Sequence, residues 1–123
     1  MKRFESQEDY LERILQLSRR KETVHAVDIA RDMKFSKPSV SVAMAKLKEE
    51  GFIEISKKGE ISLTDSGLKI AEKTLEKHEI LTKMLMYLGV DEKTAAEDAC
   101  RMEHDISDKT WKAIKVHYNM NKK

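Results

Sequence analysis

Six side chains able to hold a transition metal fall into three short clusters: Asp9-x-x-Glu12, His78, and Cys100-x-x-Glu103-His104. Offsets of three and four residues put side chains on one face of a helix, so each cluster can present its donors in one direction. Carboxylate, imidazole and thiolate together make a set of mixed softness, suited to first-row transition ions rather than to calcium or magnesium. Taken singly, each residue has a plainer reading: His104 as a surface or core histidine, Glu103 as a solvated acid, Cys100 as an inert buried thiol. Cys100, Glu103 and His104 together are harder to explain that way, because from a single helical turn all of them can reach one ion. Asp9, Glu12 and His78 could then complete about five or six coordination positions. His25 and His117 lack such neighbours and read as non-ligands, and Glu79 and Glu97, beside the clusters, read as solvated acids or as supports behind the ligands.

The elements that must carry these donors are mostly helical. Tyr10, Leu11, Ile14, Leu15 and Leu17 recur at helical spacing and predict a first helix from about Ser6 to Arg20, with Ser6 as its N-cap. A second runs from Ala26 to Met33, with Val27, Ile29, Ala30 and Met33 as its buried stripe. Pro38 suits the first turn of a third helix capped by Ser36 and stopped by Gly51. Phe52 to Ile55 and Ile61 to Leu63 alternate about Lys57-Lys58-Gly59-Glu60, which predicts a β-hairpin with a basic tip. Thr64-Asp65-Ser66-Gly67 opens a long helix to Leu88, with a stop at Gly89. Asp91 caps another, and Ser107 or Asp108 begins the last, with Asn119 to Lys123 as a frayed end. Trp111, Ile114, Leu81, Leu85, Met84 and Leu88 are expected in the core and dimer surface of this half, and Val116 belongs to the last helix's apolar stripe.

Two helices, a tight turn, a third helix and a hairpin form a winged helix-turn-helix, so the fold is mainly α: a DNA-binding domain over residues 1–63 and a helical domain over residues 64–123 that carries most of the candidate metal donors. In the third helix the core side takes Val40, Ala43, Met44 and Leu47. Lys37, Pro38, Ser39, Ser41, Val42 and Lys46 are left for DNA, joined by Lys57 and Lys58 of the wing. Ser39 and Ser41 suit bases or phosphates, and Val42 suits a thymine methyl. The lysines suit phosphates, although any one of them could be ordinary solvated surface.

Composition agrees with this division. With 123 residues, 40% hydrophobic and 37% charged, the chain can build a core and is not a disordered polymer. Its net charge of +2 identifies no partner, but residues 19–60 hold ten Lys/Arg against seven Asp/Glu, and residues 61–123 hold eleven of each. The basic excess lies where the DNA reader is expected. One cysteine rules out an intrachain disulfide framework. Neither a membrane-length apolar run nor a leader is visible, so a cytoplasmic protein is expected.

Phe52 to Leu63, Leu63-Thr64-x-x-Gly67, Lys77-His78-Glu79, Leu88-Gly89-Val90 and Ala99-Cys100-Arg101-Met102-Glu103-His104-Asp105-Ile106-Ser107 are similar to the diphtheria toxin repressor family. The resemblance runs from about Gln7 to Tyr118. It implies a cytoplasmic homodimer whose winged-helix half binds a palindromic operator in double-stranded DNA and whose helical half dimerises and holds Mn2+ or Fe2+, with Co2+ or Zn2+ able to substitute. By the same resemblance, Asp9 and Glu12 match a ligand pair of the manganese-responsive branch, and His78, Glu103 and His104 match ligands shared across the family. Cys100 stands where the manganese branch has glutamate and the iron branch cysteine; Asp9 stands where the iron branch has methionine. The chain is a hybrid at these two positions. Thr82 and Ala96 replace ligands of an ancillary site in the iron branch, the SH3-like tail domain is missing, and the last helix is short.

The resulting expectation is a metal-dependent transcription regulator, most simply a repressor, with no membrane partner and no small-molecule substrate. A winged-helix regulator that does not sense metal is the alternative; it predicts that replacing Glu103 and His104 leaves the metal response unchanged. A small metalloenzyme is a further rival, but no residue is left over as an evident general base.

Overall fold

The computed structural model describes residues 7–121, in the order α1 (Gln7–Ser18), α2 (Ala26–Met33), α3 (Lys37–Glu49), β1 (Ile53–Ile55), β2 (Ile61–Leu63), α4 (Asp65–Tyr87), α5 (Glu92–Met102) and α6 (Asp108–Asn121). The expected cap at Ser6 and the final lysines lie outside the described residues. The chain divides into two compact units, one ending at Lys73 and the other beginning at Thr74, so that α4 contributes to both.

In the first unit the apolar stripe of α1 places Leu11 and Ile14 out of reach of solvent, beside a core completed by Ile29, Val40, Leu47 and Ile53. Each such side chain contributes on the order of 1.5–3 kcal/mol by leaving water. The α1 helix ends at Ser18, two residues short of the expected Arg20: the amides of Arg20 and Lys21 both turn back to the Leu17 carbonyl, at 3.0 and 2.9 Å.

The stripe of α2 departs from expectation at two positions, with Met33 only half-buried at the helix end. Val27 is exposed and Asp28 takes the buried place beside Ile29 and Ala30. Asp28 lies in the first helical turn and accepts from the His25 amide at 2.9 Å, satisfying a donor that the helix start leaves open. Its other oxygen is 3.2 Å from Lys21 Nζ and 3.6 Å from Arg31. Burial opposes ionisation here, but the His25 amide, Lys21 and Arg31 outweigh it and hold the carboxyl below its usual range. Arg13 reaches Asp32 at 2.9 Å and ties α1 to α2.

Ser36 caps α3 by accepting from the Ser39 amide at 3.2 Å, with Pro38 in the first turn as the sequence predicts. Strand β1 pairs antiparallel with β2 in the register Ile53↔Leu63, Glu54↔Ser62, Ile55↔Ile61. On the far side of β2 the Ile61 amide donates to the Val24 carbonyl at 2.7 Å, so the linker before α2 supports the wing. Thr64 caps α4 through the Gly67 amide and donates its own hydroxyl to the Gly51 carbonyl at 2.7 Å. A Cβ at Gly67 would sit 2.0 Å from the Phe52 carbonyl oxygen, so only glycine lets α4 start against the wing.

In the second unit Leu75, Ile80, Leu81, Ala95, Ala99 and Trp111 are buried. Asp91 caps α5 through the Thr94 amide at 2.9 Å, and that hydrogen bond holds its carboxyl below the usual range. Ser107 caps α6 through the Thr110 amide at 3.1 Å. Glu76 of α4 and Lys115 of α6 pair at 3.2 Å. Met84, Leu85 and Ile114 are half-buried, whereas Leu88 is 76% exposed and Val116 59% exposed, so neither belongs to the core of this chain. For Leu88 the reason is local: α4 ends at Tyr87, and the chain turns away through Gly89 at φ 105°.

Candidate metal centre and nucleic-acid interface

Around Glu103 the second unit gathers its donors. The Glu103 amide donates to the Ala99 carbonyl at 2.9 Å and closes α5, which ends at Met102. Glu103 and His104 therefore lie just past the helix end, not on its face as the spacing predicts. Turn bonds from the amides of Asp105 and Ile106 to the Met102 carbonyl shape this exit. The Glu103 side chain is wholly withdrawn from solvent. Its Oε1 lies 3.2 Å from His78 Nδ1, and its Oε2 lies 3.3 Å from His104 Nε2 but has no well-directed hydrogen bond among the described residues. Cys100, half-buried one turn earlier on α5, brings its sulfur within 4.8 Å of a Glu103 carboxylate oxygen.

These four donors fit a transition ion. A buried carboxylate with an unsatisfied oxygen, two imidazoles and a thiol match the N, O and S chemistry of such a site. In the first unit Asp9 and Glu12 stand one turn apart on α1, both buried, at 6% and 7% exposure. Acids on the buried face of a helix are uncommon, because each carries a desolvation cost. His25 instead serves the start of α2, where its ring is 3.8 Å from Asp28. Glu79 and Glu97 are exposed. The Thr82 hydroxyl donates to the His78 carbonyl at 2.7 Å.

One contact near the donors carries no sequence signal beyond adjacency to His78. Lys77 Nζ donates to the Glu103 carbonyl at 3.3 Å.

The α3 side chains proposed for DNA lie on the exposed side of the helix. Val40, Met44 and Leu47 are buried and Ala43 half-buried, while Lys37, Pro38, Ser39, Ser41, Val42 and Lys46 face solvent. Val42 is 71% exposed, so its side chain is open to contact. Part of Ser39 is engaged locally, since its hydroxyl accepts from the Ser36 hydroxyl at 2.9 Å. Lys57 and Lys58 are exposed at the hairpin turn, which Ser56 and Gly59 close through a 2.9 Å backbone bond.

Two family descriptions divide the chain between them. Residues 3–61 match the iron-dependent repressor N-terminal DNA-binding domain, and residues 64–122 match the iron-dependent repressor metal-binding and dimerisation domain. An uncharacterised helix-turn-helix transcriptional regulator of Methanocaldococcus jannaschii is 34% identical over 91% of both chains. The chain belongs to the iron-dependent repressor family. It is a transcription regulator of that family, with the winged-helix reader preceding the helical half. The transcriptional regulator MntR of Escherichia coli O6:H1 is 34% identical over 89% of this chain and 70% of its own length. The solved structure of the manganese regulator SloR superposes with a TM-score of 0.82 at 31% identity over 93% of this chain. This chain spans 54% of that structure, about half its length. Among the described residues no helix is long and apolar enough to cross a membrane.

Proposed function

We propose that the protein is a cytoplasmic, metal-dependent repressor that binds operator DNA as a homodimer when loaded with Mn2+ or Fe2+, with Co2+ or Zn2+ able to substitute. One observation carries the reading: the solvent-free Glu103 carboxylate flanked by His78 and His104. A divalent cation bound by Asp9, Glu12, His78, Cys100, Glu103 and His104 would place a positive charge among these buried acids. Asp9 and Glu12 belong to the helix leading into the reader, and the other four donors to the helical half. Shared ligation would therefore hold α1 in register with α4 and α5. It would favour the spacing of two α3 helices that fits half-sites about one DNA turn apart.

On the DNA side, Ser39, Ser41 and Val42 are assigned to base edges beside Pro38, and Lys37, Lys46, Lys57 and Lys58 to phosphates. The Cys100 thiolate biases intrinsic affinity toward iron, cobalt and zinc over manganese. The manganese responses named for SloR's kind weigh the other way, and availability in the cell decides between them. No catalytic step is assigned to any residue.

Because binding free energies are reciprocal, operator DNA must tighten metal binding by the factor by which metal tightens operator binding. Titration of operator DNA in manganese, anaerobic iron, cobalt, zinc and excess chelator tests this. The expected result is tight binding with metal and weak binding with chelator; equal affinities in all five would remove the mechanism.

A further inference from the structure

We propose that Lys77 is a positioning residue for the metal donors, an inference that rests on the metal-binding reading of Glu103. Helix α5 ends at Met102, so the carbonyls of its last residues and of the Glu103 cap lack partners within the helix. Lys77 Nζ supplies one from α4, donating to the Glu103 carbonyl at 3.3 Å. The next residue along α4, His78, meets the Glu103 side chain at 3.2 Å. Two consecutive residues of α4 thus hold the backbone and the carboxylate of the same glutamate.

The contact matters because Glu103 is the last residue whose amide joins the helical ladder, and its carbonyl and His104 lie on the turn that follows. Helix ends fray unless something covers them. An ammonium group suits a helix C-terminus electrostatically, and its flexible four-carbon stem lets it reach a carbonyl without fixing its own backbone. Lys77 ligates nothing itself. It keeps Glu103 Oε2 and His104 Nε2 converged, at the 3.3 Å separation seen here, so that less ordering remains when an ion arrives.

The test compares Lys77→Met and Lys77→Arg with the unaltered full chain. Cobalt and manganese dissociation constants are measured by competition with a chromophoric chelator, and amide exchange of residues 103–106 is followed without metal. Lys77→Met should weaken metal binding by about tenfold or more, the scale seen when groups supporting metal ligands are removed. It should also shift the cobalt ligand-field spectrum and speed exchange at the turn, and Lys77→Arg should restore most of all three. If Lys77→Met does not fold, Lys77→Gln, too short to reach the carbonyl, is read the same way. Unaltered protein that binds neither ion overturns the metal reading itself. Unaltered protein that binds, with Lys77→Met or Lys77→Gln matching it in affinity and spectrum, overturns the role of Lys77 alone.

Discussion

On α3 the side chains proposed for DNA face water and the core lies beneath them; around Glu103 the candidate donors are themselves buried or half-buried. Lys37, Ser39, Ser41, Val42 and Lys46 sit on a helix whose opposite side, Val40, Met44 and Leu47, is packed in the usual way. Changing the reading face leaves the fold almost untouched, because exposed positions away from caps and cores tolerate substitution. Glu103, Asp9 and Glu12 are instead acids held in buried positions, where ionised groups are costly to desolvate. The α3 face can therefore be changed at little cost to folding, whereas the proposed donor cluster ties any change of function to buried charge.

The strongest way to break this contrast is Glu103→Gln. The amide keeps the shape and removes the charge, so the variant should fold but lose its response to metal. Operator affinity should then be the same with manganese and with chelator, a change of roughly 5–150-fold against the unaltered protein. Thermal melts give a second readout. Metal at a hundredfold excess over its dissociation constant should stabilise the unaltered chain by about 2.7 kcal/mol and the variant hardly at all. A Glu103→Gln protein that still melts higher with metal would mean that the donors lie elsewhere.

A smaller effect is expected inside the reader, where Asp28 is its own buried acid but is fully provided with partners. Asp28→Asn replaces a charged acceptor of the His25 amide and leaves Lys21 and Arg31 facing a neutral group. It should cost about 1–3 kcal/mol at neutral pH. The pH dependence has a definite sign. The folded-state carboxyl titrates below its ordinary value of 3.8, so its stabilisation is complete above that value and fades as the pH falls through the lower folded value. Urea unfolding at pH 7 and near pH 3 should show the gap between the unaltered chain and the Asp28→Asn variant narrowing in acid. A gap that widens would mean that the charge is unfavourable where it stands.

How far the sequence could show these features differs between the same two regions. Pro38 after a Ser36 cap, Gly51 after α3 and the Lys57–Glu60 turn are local signals, each tied to a backbone requirement, and the structure places all of them as read. Asp28 was hidden, because the stripe of α2 admits Val27 equally well; only the packed helix reveals that an acid held by Lys21 and the His25 amide can occupy the buried place. For the donors, residue type and spacing named Cys100, Glu103 and His104. The spacing alone could not say that α5 stops at Met102, a boundary set by turn bonds at Asp105 and Ile106. The Lys77 contact joins residues 26 apart in sequence and left no periodic trace. Leu88 likewise continued the helical stripe in sequence, but the chain had already turned toward Gly89.

The gentlest expected effect sharpens the contrast from the DNA side. Lys57 and Lys58 are exposed at the wing tip, where removing them disturbs no buried contact among the described residues, so Lys57→Ala/Lys58→Ala should melt with the unaltered chain. If both lysines neutralise phosphates, each contributes about 0.9 to the slope of log affinity against log salt. The double variant should therefore bind operator and unrelated duplexes more weakly by a similar factor, with a slope shallower by about 2. Preference between the two duplexes should change little, because phosphate contacts fix position and base contacts select sequence. A variant that lost discrimination while keeping the original slope would place the wing tip at base edges. It would move the division between reading and anchoring from the boundary of α3 into the hairpin.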